Sequence, residues 1–171
     1  MSRLFKAGVV LLACSLSSIQ GAAAQPANQA CSSESSLTGQ ILHCSPGVTI
    51  IAEGGARYTV RTDRNGQAAA VELNSKALLI EVQPRSGRSK FQVMTPQAIA
   101  AVRGTKWAVD VAEGKTSVFV VNGSVGVGHR TGGQRVALGP GEGVDVEPGS
   151  PLTVKRWPPA RVSALLARLG Q

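Results

Sequence analysis

The chain has 171 residues, 18 Lys and Arg against 10 Asp and Glu for a net charge of +8, and 43% hydrophobic residues. That length and apolar content suit one domain with a core of its own, not a disordered tail or a string of domains. The basic balance favours anionic partners such as lipid headgroups, acidic polysaccharide or an acidic protein.

The first residues have the three parts of a secretory signal. Arg3 and Lys6 lead, an apolar run follows from Ala7 to Ile19, and Ala22-Ala23-Ala24 precede Gln25. Cleavage after Ala24 is expected. An uncleaved anchor is the competing reading, but Ser15, Ser17 and Ser18 interrupt a run already shorter than the roughly 20 residues a bilayer requires. Leu11-Leu12-Ala13-Cys14 has the look of a lipobox, although the apolar stretch before Cys14 is short for a signal. Removing residues 1–24 leaves 147 residues with 16 basic and 10 acidic side chains, a net charge of +6 and no transmembrane span. The expected location is periplasmic or secreted, which sets nucleic acid aside as a partner.

Cys31 and Cys44 then remain as an even pair, which in an oxidising compartment reads as a disulfide. Metal binding by Cys31, His43 and Cys44 is the alternative. Adjacent His and Cys side chains rarely converge on one ion, and no fourth ligand is apparent. Residues 25–47 are polar and small at first and are expected as an irregular lead tied down at Cys31.

From Val48 the pattern changes to short runs rich in Val, Ile, Thr and Tyr, punctuated by Gly, Asn and Asp. Strands are expected near 48–52, 57–61, 68–74, 77–83, 90–94, 105–111, 116–121, 124–129, 134–138 and 143–147. Asn65-Gly66 and Asn122-Gly123 suit tight type I′ hairpins. Trp107, Val109 and Val111 share one face of a strand whose other face carries Lys106, Ala108 and Asp110, so that strand reads as half-buried. "SVFVV" is apolar on both faces and belongs in mid-sheet. The expected fold is an all-β, antiparallel β-sandwich or jelly-roll-like domain over residues 48–154. Residues 155–171 add a short C-terminal α-helix, in which Val162, Leu165, Leu166 and Leu169 recur at helical spacing between Pro159 and Gly170. Its bland role is to close an open end of the sandwich; partner docking is the other.

Chemistry is sparse. His43 and His129 show no spacing to an acid and a nucleophile, and read as surface groups. Glu142, Asp145 and Glu147 could offer a hydrolytic pair, but Asp145 and Glu147 alternate with Val144 and Val146, which is the pattern of a solvated strand face. "TDRNG" lacks the closing Glu of a calcium loop, and the Gly-rich stretches lack the strand-to-helix context of a phosphate loop. No catalytic, cofactor-binding or metal-binding residues are assigned, and no enzymatic activity is expected. Two basic groups, Arg85, Arg88 and Lys90, and Lys155, Arg156 and Arg161, read either as solubilising charge or as an anion-binding patch.

"TPQAIAAVRGTKWAVDV" at 95–111, "TSVFVVNGSVGV" and then "ALGPGEGVDV" resemble the FecR domain of bacterial periplasmic proteins. The resemblance covers residues 90–147 strongly and 48–89 loosely. It implies an all-β domain in which Thr95, Pro96, Val102, Arg103, Gly104, Thr105 and Trp107 are mainly architectural. Gly104 is expected to bend the backbone, and Arg103 to reach a carboxylate, with Asp110 the first partner to test; a ligand anchor is the alternative role. Full-length relatives resemble transmembrane regulators with a cytoplasmic anti-sigma portion and a C-terminal portion that hears an outer-membrane receptor. Against that plan this chain reads as a stand-alone secreted module, either a binding or scaffold domain for an envelope protein or a binder of envelope glycan or another anionic polymer.

Overall fold

The computed structural model describes residues 30–84, 91–102 and 104–171. The expected signal, the residues before Ala30, Arg85, Arg88, Lys90 and Arg103 lie outside the described residues. Thirteen strands and one helix are formed among those described. In chain order they are β1 (Cys31–Ser36), β2 (Gly39–Cys44), β3 (Val48–Glu53), β4 (Arg57–Thr62), β5 (Ala68–Val82), β6 (Phe91–Met94), β7 (Ala98–Val102), β8 (Lys106–Ala112), β9 (Lys115–Asn122), β10 (Val125–His129), β11 (Arg135–Leu138), β12 (Glu142–Val146), β13 (Lys155–Arg156) and α1 (Pro159–Arg168).

β5 is the spine of the molecule. Its first half pairs antiparallel with β4 and parallel with β6, while Lys76–Glu81 pair with β8 and Leu78–Val82 with β3. The 68–74 and 77–83 runs, expected as separate strands, are therefore one strand bent where Lys76 adopts φ 65°. Such a left-handed residue costs on the order of 1 kcal/mol; the Lys76 ammonium is tied across to the Gly54 carbonyl at 2.5 Å. Two limbs diverge from this bend. The first limb runs β4-β5-β6-β7-β10-β11, and the second runs β1-β2-β3-β5-β8-β9-β12-β13.

The expected all-β fold with a short C-terminal helix is formed, and because the limbs are continuous through β5 they make one curled, mixed sheet. The parallel β5–β6 pair has a simple cause: the chain leaves β5 at Val82 and must return to the level of Ala70 before β6 can pair. One core fills the space between the limbs. Val71, Leu73 and Phe91 from the first meet Ile50, Ile80 and Trp107 from the second in a single buried cluster.

Two further expectations change. Residues 31–44, expected as irregular, form the β1–β2 hairpin with Cys31 opposite Cys44 and a disulfide joining them. As an edge strand with exposed residues along most of its length, β1 needs no alternating apolar side chains, which is why "CSSESS" hides it. "AIAAV" at 98–102 forms β7, with Ala98, Ala100 and Val102 turned to the core.

The helix forms as its apolar spacing requires. Pro159 opens it and Gly170, at φ 73°, follows it. Leu165 and Leu169 bury themselves against Ala77, Leu79, Ala108 and Phe119, with Val162 and Leu166 packed beside them. The helix therefore lies on the outer face of the second limb and does not plug an end. It also buries Ala108, so β8 is covered on both faces instead of being half-solvated. No helix among the described residues is long and apolar enough to cross a membrane.

Candidate functional site

The chain passes between limbs twice at one place. The link holding Gly104 and Thr105 carries it from β7 to β8. A hairpin at Asn122-Gly123 would keep it on the second limb; instead the link through Asn122-Gly123-Ser124 carries it from β9 to β10, strands that pair with β8 and β7 respectively and not with each other. The expected type I′ hairpin at Asn122-Gly123 is thus a second crossing, laid directly on the first. Gly104 has φ 65° and Gly123 φ 89°. A Cβ on Gly123 would stand 2.4 Å from Thr105 Cγ2 and 2.8 Å from the Gly104 carbonyl oxygen, closer than van der Waals contact permits. Gly104 is nearly as confined, with Pro84 Cα 3.1 Å from where its Cβ would be. The Gly104 bend expected from the motif is present, and the Val82 amide donates to the Thr105 carbonyl at 2.9 Å, tying the crossing to β5.

Thr95 secures the same limb contact from the other side. Its hydroxyl accepts from the Ala98 amide at 2.8 Å and lies 2.7 Å from the Thr116 hydroxyl of β9, which donates to Gln97 Oε1 at 2.8 Å. Both threonines are buried. Pro96 occupies the exposed turn beside this chain of hydroxyls, and Val102 and Trp107 enter the common core.

A charged cluster joins the helix to the second limb. Arg168 donates to both carboxylate oxygens of Asp110, at 2.8 and 3.0 Å, and to Glu53 at 2.6 and 3.2 Å. The carboxylate proposed for Arg103 is therefore held by Arg168 from the far end of the chain. Arg161 donates to Asp145 at 2.5 and 3.0 Å, and Ser117 donates to the same carboxylate at 2.6 Å. The Arg161 guanidinium also lies 3.5 Å over the Trp157 ring, on which Phe119 stacks at 5.1 Å. Asp145 is thus held in a partly exposed ion pair on its strand face, with 35% of its side chain accessible. Arg161 is engaged in these contacts, whereas Lys155 and Arg156 stay exposed on β13.

These contacts fix protonation. Partial burial pushes the Asp145 carboxyl up, but the hydrogen bonds from Arg161 and Ser117 outweigh it and hold the group below the ordinary carboxylate range. Arg168 is shifted upward by its bonds to Asp110 and Glu53. A carboxylate kept ionised has no proton to give near neutral pH, so Asp145 is unsuited to the acid role in a hydrolytic pair. Glu142 accepts from the Gly139 amide at 2.8 Å, which shapes a turn. His43 faces Glu34 at 3.5 Å on the exposed hairpin. No group of three or more His, Cys, Asp or Glu capable of holding a metal occurs among the described residues.

Sequence reasoning missed Glu53, Thr116, Ser117 and Arg168. Glu53 and Arg168 stand 115 positions apart, and only the helix seated on the sheet brings them together.

The geometry agrees with what the chain resembles. Residues 42–126 match the family model described as FecR protein. No curated protein matches the sequence. Two crystal structures of a candidate anti-sigma factor from Parabacteroides distasonis share the fold, with TM-scores of 0.55 and 0.53 at 20% identity. In each case the alignment covers 80% of this chain and 60% of the other, so this chain spans less than two thirds of their length. Residues 42–126 of this chain are a FecR domain.

Proposed function

We propose that the chain is a non-enzymatic binding module of the bacterial envelope that docks a protein partner in a regulatory or scaffolding role. The observation that carries this reading is the FecR domain itself, a fold shared with proteins described as anti-sigma factors. Two features of the chain support it. The polar groups most suggestive of chemistry, Asp110, Asp145, Ser117 and Arg161, are spent on holding the helix to the sheet. The Cys31–Cys44 bridge fits an oxidising compartment, in keeping with a periplasmic or secreted location.

Binding of an envelope glycan or another anionic polymer is the second reading, favoured by the exposed Lys155 and Arg156. Sugar recognition through an aromatic platform has no support at Trp157, because Phe119 and Arg161 pack on its ring and leave it 6% exposed.

The test is photo-crosslinking in living cells, with the crosslinker placed at exposed positions of each limb. A discrete protein adduct supports the reading. Retention on peptidoglycan or lipopolysaccharide without any protein adduct overturns it in favour of the polymer.

A further inference from the structure

The outer faces of the two limbs differ. That of the second limb is covered by α1, whereas no described element lies over that of the first. Register carries one row of this face straight across six strands: Arg61, Ala70, Gln92, Ala101, Gly126 and Ala137 stand side by side. Apart from Arg61 and Gln92, that row is Ala and Gly. The neighbouring row is Thr59, Glu72, Met94, Ile99, Gly128 and Arg135, which adds two larger apolar side chains to the floor, and the Arg135 Cγ stands 3.0 Å from where a Cβ on Gly128 would be. Five inter-strand steps of about 4.8 Å make the floor roughly 24 Å wide, the length of about 16 helical residues.

Charge on this face is one-sided. Glu72 carries one carboxylate and meets two guanidiniums, Arg61 at 2.6 Å and Arg130 at 4.0 Å, both of them substantially exposed. Arg135 adds a third cation at the opposite edge. We infer that this Ala- and Gly-floored face of the first limb is a docking surface for an acidic amphipathic helix of a partner protein. The inference rests on the protein-binding reading above and names the partner's chemistry.

The molecule already contains the same kind of contact. On the second limb a helix rests on a mixed floor of Ala77, Leu79, Ala108 and Phe119, with Arg–carboxylate pairs at its margin. There the helix supplies the arginines and the sheet supplies the acids; on the first limb the sheet supplies the arginines, so the visiting helix must bring the acids. A second copy of this chain does not meet that requirement, since α1 carries Arg161 and Arg168 and no acid.

The measurement is an NMR titration of the isolated full chain with two synthetic amphipathic peptides of about 16 residues. Both have an Ala/Leu stripe; one is flanked by Glu and the other by Lys. Polygalacturonate serves as an acidic polysaccharide probe. The Glu peptide is expected to shift the amides of Ala70, Gln92, Ala101, Gly126 and Ala137, and to bind more weakly as salt is raised to about 0.3 M. Gly126→Glu is expected to weaken it at least about tenfold by placing a like charge on the floor. A side chain is sterically acceptable there, because the nearest atom to its Cβ would be 3.8 Å away. The inference is overturned if the Glu peptide shifts nothing, if it shifts Lys155 and Arg156 instead, or if the Lys peptide or the polysaccharide perturbs the same amides equally. Concentration-dependent self-association through this face overturns it as well. In cells, a protein adduct that persists in Gly126→Glu removes this surface while leaving the binding-module reading intact; absence of any adduct in the parent chain counts against both.

Discussion

Three glycine-to-alanine substitutions separate backbone conformation from close approach at the double crossing. Gly114, Gly104 and Gly123 have φ of 74°, 65° and 89°, so alanine at each carries a similar left-handed penalty of about 1 kcal/mol. Their surroundings differ. A Cβ on Gly114 meets nothing within 4 Å, one on Gly104 meets Pro84 at 3.1 to 3.3 Å, and one on Gly123 collides with Thr105 and the Gly104 carbonyl at 2.4 and 2.8 Å. Forcing a methyl group into packed backbone adds about 1–3 kcal/mol, while the lowered entropy of the unfolded chain offsets all three alike. Expected losses are about 1 kcal/mol for Gly114→Ala, about 2 for Gly104→Ala and about 3 for Gly123→Ala. At about 4 °C per kcal/mol for a domain of this size, Tm falls by about 4, 8 and 12 °C. Thermal unfolding followed by circular dichroism reads the series. Equal losses at Gly114 and Gly123 would refute the reasoning, because conformation alone would then account for the glycines of the crossing.

Other consequences are as open to measurement. Asp145→Asn should cost about 1 kcal/mol at neutral pH, the modest value of a partly exposed pair. Because the folded Asp145 titrates below its unfolded value, its contribution is present above about pH 4 and disappears as pH falls through the folded pKa; the parent and the variant should converge in urea melts at acid pH, and a constant gap would contradict the pairing. Thr116→Val removes the middle of the Thr95–Thr116–Gln97 chain and should cost about 1 kcal/mol in chemical denaturation, since the bonds to Thr116 are lost while the Thr95 hydroxyl keeps its partners on Ala98; a neutral effect would show that the limbs do not depend on it. Reducing the Cys31–Cys44 bridge, which closes a separation of 13 residues, should lower stability by up to about 3 kcal/mol without altering the far-ultraviolet spectrum of the remaining sheet.

Much of the fold was legible because a strand with one face in a core must alternate, and β3 and β6 do so plainly. The helix was legible for the same reason at its own period. Gly104 was legible as a bend because few other residues accept its φ. The rest needed partners that sequence does not display. β1 is polar because it borders the sheet, and β7 is built largely of Ala, which packs in a strand without advertising one. Asn122-Gly123 carries the chemistry of a hairpin, but only Gly123 takes a positive φ, and the strands on either side belong to different limbs. Local propensity sets the turn; which strand waits beyond it is decided by the core. At the charged cluster, the Arg168 that holds Asp110 lies 58 positions further along the chain, and no local spacing announces a contact made only when the helix is seated on the sheet.

The family match ends at Gly126, within β10, and the segment after it determines how the domain meets its surroundings. β11 and β12 cover the edges of β10 and β9, so without them each of those strands would present an open edge. α1 then covers Ala77, Leu79, Ala108 and Phe119, an apolar patch that would otherwise face water on the second limb. It is fastened there by Arg161 and Arg168, both of which consume acids of the sheet. The same segment that closes one face in this way also places Arg135 on the other, where the acid at hand among the described residues is the Glu72 already shared by Arg61 and Arg130. Coverage of the apolar patch on the second limb and the Arg130 and Arg135 cations of the first therefore arise from one stretch of chain.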